Sequence, residues 1–289
     1  MLTKAKSVGI RQLCGWFAAL GLLGGCAQEV VPGESVAGRE GAILDGKEDL
    51  GFPAVGNIRS LWSPENGCTG SLVSHELVLT AAHCGLQWVE MGEGRAFTFS
   101  LGHDPSDFTA YALDAMYNHP KMTGPRNAWF GPYDLALFHI AAPQGDSPQD
   151  VSARERLYST PVMEITTQVA TNQGCAAVGF GDHLRRRLEE GEPRDVRKRA
   201  ASVTVQSVTD TAVTVREATG IPAGGDSGGP LVCQDNTISA VVHGPAKEEE
   251  DSRYPTHHLE EYNRIDAWVS EFLAAWAAGE RPAPNPLVW

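Results

Sequence analysis

From Ile43 onward the chain is written in short β-type runs, each broken by Gly, Pro, Asn or Asp. "GSLVSHELVLTA", "DLALFHI", "ASVTVQSVTDTAVTV" and "TISAVVHG" are rich in Val, Ile, Thr and aromatic residues, side chains that fit a pleated, half-buried surface. Their spacing suits an all-β barrel or sandwich. With 289 residues, 42% hydrophobic and 20% charged, the chain can bury a large core as one big domain or two small ones, and global disorder is excluded. One helix is expected, within "EEYNRIDAWVSEFLAAWAAG": Ile265, Trp268, Val269, Phe272, Leu273 and Trp276 recur at three- and four-residue spacing, with Gly279 as the stop. That aromatic stripe reads as core packing. Residues 280–289, "ERPAPNPLVW", read as an extended tail. The charge run "HLRRRLEEGEPRDVRKR" at 183–199 reads as a solvated loop open to nicking after Arg or Lys.

The amino terminus is a targeting segment. Lys4, Lys6 and Arg11 precede the apolar run "LCGWFAALGLL", which is short for a membrane span. The run ends in "LGGC", which resembles the lipobox of bacterial lipoproteins, with Cys26 as the lipidated first residue of the mature chain. An ordinary secretory leader cut nearby is the alternative. Residues 1–25 are thus read as signal and 26–42 as a Gly- and Glu-rich tether. An extracytoplasmic location follows, either secreted or anchored to the outer membrane of a Gram-negative cell through the lipid alone. Losing three basic residues takes the formal charge from 23 − 36 = −13 to 20 − 36 = −16, a field that repels nucleic acid. Of six cysteines, Cys14 lies in the leader and Cys26 at the lipid site. Cys68, Cys84, Cys175 and Cys233 remain, an even set that suits an oxidising compartment and allows three connectivities.

The chemistry centres on "GIPAGGDSGGPLVC", residues 220–233, where five glycines surround Asp226–Ser227. The segment formally fits the G-x-S-x-G elbow of α/β-hydrolases, but that elbow needs a helix after the serine. Gly228, Gly229 and Pro230 are poor helix starters and the strand-like "LVC" follows. A serine nucleophile needs a base, a group to orient that base, and donors for the developing oxyanion. Among nine histidines, His83 ends an apolar run in "LTAAHC", beside Cys84. Asp134 opens another in "GPYDLALFHI".

"LTAAHC", "YDLAL" and "GGDSGGP" occur in that order, 51 and then 93 residues apart. This set resembles the chymotrypsin/trypsin family of serine peptidases, and the likeness runs from about Ile43 to Trp276. "GCTGSLVSHELVLTAAHC", "NHPKM", "CAAVGFGD" (with Phe180 where the family has Trp) and "YNRI" opening the last helix support it. The resemblance implies a domain over 43–279 made of two six-stranded Greek-key β-barrels with a C-terminal α-helix. It implies His83 and Asp134 in the first barrel, Ser227 in the second, and the disulfides Cys68–Cys84 and Cys175–Cys233. It further implies an oxyanion hole from the N–H groups of Gly225 and Ser227, with Gly228 and Gly229 keeping side chains out of the substrate's way.

The same resemblance implies a zymogen. Cleavage of Ala42–Ile43 by another protease would free an ammonium group for Asp226, otherwise a buried carboxylate in need of a partner. Such a cut would also detach the catalytic domain from its lipid. In the substrate pocket, Ile221 stands six residues before the serine, where trypsin-like members carry Asp. Ala223 replaces a pocket cysteine, and His243 falls about where Ser is common. Cleavage after small or apolar side chains is expected. Neither His257–His258 nor "EEED" at 248–251 makes a metal ligand set, so no metal or cofactor is expected. The partners implied are a peptide or protein substrate and the activating protease, with the chain a monomer. The alternative class is a non-catalytic homologue that uses the same barrels as a binding module.

Overall fold

A computed structural model describes residues 43–60, 67–85, 97–122, 131–182, 195–245 and 258–284. In chain order its elements are β1 (Lys47–Glu48), β2 (Val55–Ser60), β3 (Gly67–Ser74), β4 (Leu77–Thr80), β5 (Phe97–Leu101), β6 (Thr109–Asn118), β7 (Ala136–Ala141) and α1 (Pro148–Ser159). Then come β8 (Glu164–Ile165), β9 (Gly174–Gly179), β10 (Arg199–Val208), β11 (Ala212–Glu217), β12 (Pro230–Gln234), β13 (Thr237–Pro245), β14 (Leu259–Arg264) and α2 (Ala267–Ala277).

Antiparallel pairing closes β2-β3-β4-β7-β6-β5 into one barrel. A second barrel runs β10-β11-β14-β13-β12-β9 and closes through β9–β10, with β1 added along β10 and β8 along β13. The fold is therefore the pair of six-stranded β-barrels with a C-terminal helix. Alternation explains the inward faces. In β10, Ala201, Val203 and Val205 point into the core while Ser202 and Gln206 face out. Burying each valine contributes about 1.5 to 3 kcal/mol. The first barrel fills with Ile58, Leu72, Leu79, Phe99, Leu137 and Ile140.

Four features differ from the sequence reading. Helix α1 was not expected: only Leu157 of its twelve residues is buried, so no apolar stripe marks it. The segment "EEYNR" forms strand β14 and not the start of the last helix, which begins at Ala267. Asp266 caps it by accepting a hydrogen bond from Trp268 N–H (3.1 Å). "YNRI" accordingly precedes the helix. In the charge run, residues 183–194 lie outside the described part, and its end is not solvated. Lys198 is 3% exposed and Arg199 0%. Lys198 Nζ donates to the carbonyl of Phe52 (2.7 Å), and burial pushes its ammonium down to about 8. Arg199 pairs with Asp195 (2.8 Å). A buried cation is tolerated when such partners replace its water.

Helix α2 follows the second barrel but lies against the first. Phe272 and Trp276 pack on Tyr117 with ring centroids 4.9 and 5.7 Å apart, and Trp276 Nε1 donates to Glu76 (2.6 Å).

Candidate active site

His83 follows β4 and Asp134 precedes β7, and those two strands are paired neighbours. Residues 51 apart in sequence therefore meet at one end of the first barrel. The Asp134 carboxylate is fully buried and grips His83 twice: one oxygen accepts the His83 backbone N–H (2.8 Å), the other lies 2.5 Å from Nδ1. A carboxylate accepts only, so Nδ1 carries the proton, the tautomer that in a neutral ring makes Nε2 the basic nitrogen. Asp134 N–H donates to Asn263 Oδ1 on β14 (3.3 Å), tying the turn to the second barrel.

Ser227 sits in the loop before β12, wedged between the barrels. From the first, Thr69 N–H donates to the Ser227 carbonyl (2.8 Å), and Thr69 Oγ1 donates to the Gly225 carbonyl (3.2 Å). From the second, Gly228 N–H donates to Val242 (2.9 Å) and Val242 N–H to Gly229 (2.8 Å). Cys84, the residue after His83, has its Sγ 3.7 Å from the Ser227 carbonyl. This is a contact and not a hydrogen bond, because Cys84 is bridged to Cys68. The second disulfide joins Cys175 to Cys233 across neighbouring strands. Cys68, His83 and Cys84 are the one grouping of metal-type side chains among the described residues, and the bridge leaves no thiolate there to ligate.

The loop orients its amides alternately. Asp226, Gly228 and Gly229 N–H groups donate to Ala223, Val242 and Asp226 carbonyls. Among the described residues, the N–H groups of Gly225 and Ser227 have no backbone acceptor. Gly225 adopts φ +96°, a region that favours glycine. Gly228 corrects an expectation: a Cβ there would meet Thr80 Oγ1 at 2.0 Å and the Thr69 carbonyl at 2.3 Å, and one at Gly229 the Val178 carbonyl at 2.5 Å. Both glycines let the loop press on the protein itself. They are not there to clear a path for substrate.

Asp226 points inward, fully buried. Its carboxylate accepts Gly181 N–H (2.7 Å) and Ala223 N–H (2.9 Å), while burial, with the Asp182 and Glu260 charges adding to it, pushes its pKa up to about 7. Ile43 and Leu44 are also fully buried, and Leu44 exchanges hydrogen bonds with Ile221 (2.9 and 3.1 Å). Ile43 has φ +60°, an outlier for a β-branched residue. Ile221 belongs to the core of the second barrel and is 0% exposed. His243, on β13, is buried with Nδ1 3.5 Å from Glu261. Cys26 lies outside the described residues. Sequence reasoning passed over Asn263 and Thr69, whose roles depend on barrel docking and leave no local signal.

The trypsin family model matches residues 51–269. Human testisin is 24% identical over 93% of this chain and 88% of that protein, and mouse kallikrein 1-related peptidase b26 is 26% identical over 64% and 72%. Among solved structures, a mutant of human heparin binding protein superposes with TM-score 0.61 at 19% identity over 84% of this chain. Mouse neuropsin, a serine protease, does so with 0.59 at 20% over 80%; each solved chain is covered in full. With a family model spanning both barrels and the loop of Ser227, the chain belongs to the trypsin family.

Proposed function

We propose that the protein is an exported serine endopeptidase that cuts peptide bonds through an acyl-enzyme on Ser227. The observation carrying this reading is the buried Asp134–His83 pair, its Nδ1 protonated, beside a serine loop with two amides that have no backbone acceptor among the described residues. His83 Nε2 takes the Ser227 Oγ proton as Oγ attacks the scissile carbonyl carbon, and the carbonyl electron pair moves onto oxygen. The Gly225 and Ser227 amides receive that oxyanion. His83 then returns the proton to the departing amine, leaving an ester on Ser227. Water, deprotonated by His83, attacks the ester; the acyl–Oγ bond breaks, His83 hands that proton to the departing Ser227 Oγ, and the acid leaves. Asp134 holds the imidazole tautomer and stabilises its cation throughout.

Activation by a cut at Ala42–Ile43 fits the site's electrostatics. Among the described residues Asp226 has only backbone N–H donors, and its pKa is elevated, so a new ammonium on Ile43 would let it ionise. Two disulfides suit an oxidising compartment, and attachment through Cys26 would end with the same cut. Ile221, apolar and fully buried, offers no charge for a basic side chain, which supports cleavage after small or apolar residues.

A covalent fluorophosphonate probe tests the reading on the full chain before and after processing. Processed protein should label, Ser227→Ala should not, and amino-terminal sequencing of the active species should begin at Ile43. Activity with residues 27–42 attached would overturn the coupled release. The closure of both Ile221 and His243 from solvent favours, as a second reading, a binding module. Folded, processed chain that never labels would establish that alternative.

A further inference from the structure

A second histidine–carboxylate pair lies behind the first. His119, at the end of β6, is 2% exposed, and its Nε2 is 3.0 Å from Asp266 Oδ2. Its Nδ1 accepts the Lys121 backbone N–H (3.1 Å). A nitrogen that accepts is unprotonated, so the proton sits on Nε2 and is donated to Asp266. The ring is neutral, in keeping with burial lowering its pKa against the opposing influence of Asp266. The other Asp266 oxygen caps α2 through Trp268 N–H.

The surroundings of this imidazole bracket Asp134. On one side, the His119 ring stacks on Tyr133 at 4.7 Å and 17°, with Lys121 Nζ 4.9 Å over the same Tyr133 ring. Tyr133 has φ +69°, a left-handed conformation that strains an aromatic residue. It is this turn, closed by Leu135 N–H donating to the Tyr133 carbonyl (2.7 Å), that presents Asp134 to His83. On the other side, His119 N–H donates to the Leu135 carbonyl (2.9 Å). Trp268 meets the His119 ring edge-on at 4.9 Å, so the ring cannot swing away.

We propose that His119, locked by Asp266, is a positioning residue that clamps the chain on both sides of Asp134 and so aims its carboxylate at His83. The inference builds on the catalytic reading of Asp134 and His83 but is measurable without turnover. The first helical turn of α2 thereby reaches across the barrel junction to the acid of the site.

Asp266→Asn is the discriminating substitution. It retains size and capping oxygen but turns an NH₂ toward a nitrogen that already carries a proton. The expected result is a kcat reduced by about ten- to a hundredfold, the scale of a small misalignment, with KM within about twofold because no substrate contact is lost. Loss or upfield movement of the low-field NMR resonance of the proton between His83 and Asp134 should accompany it. His119→Phe, which keeps a stacking ring, should show the same losses, and the double variant should be no worse than either single one, since both cut one connection. Asp266→Ser, which keeps a cap and offers no opposing NH₂, guards against misfolding of the asparagine variant and should also lose kcat and shift the resonance. An unchanged resonance and kcat in folded Asp266→Ser, or additive losses in the double variant, would overturn the clamp. If wild-type protein shows the resonance but never cleaves peptide or labels with the probe, the catalytic reading fails. The resonance in the variants still decides the clamp.

Discussion

Gly228 is held at φ +83° with the Thr80 hydroxyl and Thr69 carbonyl where a side chain would begin. Both obstacles belong to the rigid wall of the first barrel, so neither yields cheaply. Gly228→Ala is expected to destabilise the fold by at least about 2 kcal/mol and abolish probe labelling. Gly174→Ala, on a strand with open space around the added methyl, should change stability by no more than about 0.5 kcal/mol. Paired thermal melts check both. The crowding of glycines around Ser227 is plain in the sequence, but the reason for each is not. Gly225 frees an amide, whereas Gly228 admits neighbours 148 and 159 residues away in the chain and Gly229 one 51 away. The pairing of His83 with Asp134 was legible through flanking motifs, and the same kind of motif singled out Ser227. His119 was visible only as a residue of "NHPKM", because its meaning depends on Asp266, 147 positions later.

Elements read well where alternation or a stripe was strong, as in β10 and β11. Helix α1 shows why the rest escaped: its signal is a cap, not a face. Ser147 Oγ accepts Asp150 N–H (3.1 Å), Pro148 fills the first turn, and Asp150 complements the helix dipole. "SPQD" carries that information without any apolar period. Ser147→Ala should cost about 1 kcal/mol, visible as faster amide exchange in 149–152 while the barrel strands stay protected. At the other end, Glu260 and Tyr262 turn inward on β14. A period-two segment thus ran almost directly into a helical one, with Ile265 and the Asp266 cap alone between them.

At the scale of the molecule, Asp226 couples folding to pH. Its carboxyl ordinarily ionises near 3.8 but in the uncut fold only near about 7. Between those values the folded chain keeps a proton that the unfolded chain has released. Its contribution is therefore full below the lower value and is lost as pH rises through the upper one. Uncut protein should melt at progressively lower temperature from pH 4 to 7 relative to Asp226→Asn. Processed protein should lose that difference as the Ile43 ammonium pairs with the carboxylate. Matching pH profiles for uncut wild type and Asp226→Asn would refute the assignment. The buried Lys198 and Arg199 mark a limit of sequence reading at this scale, since a dense charge run gives no sign of which members the docked barrels will cover.

The serine loop is stitched by Thr69 to one barrel and by Val242 to the other. On the proposed catalytic reading, neither half of the molecule by itself owns a complete set of reacting groups. Mild stress that merely prises the halves apart would silence the protein while nearly all its strands remain intact, and re-docking would restore it with no strand having to refold.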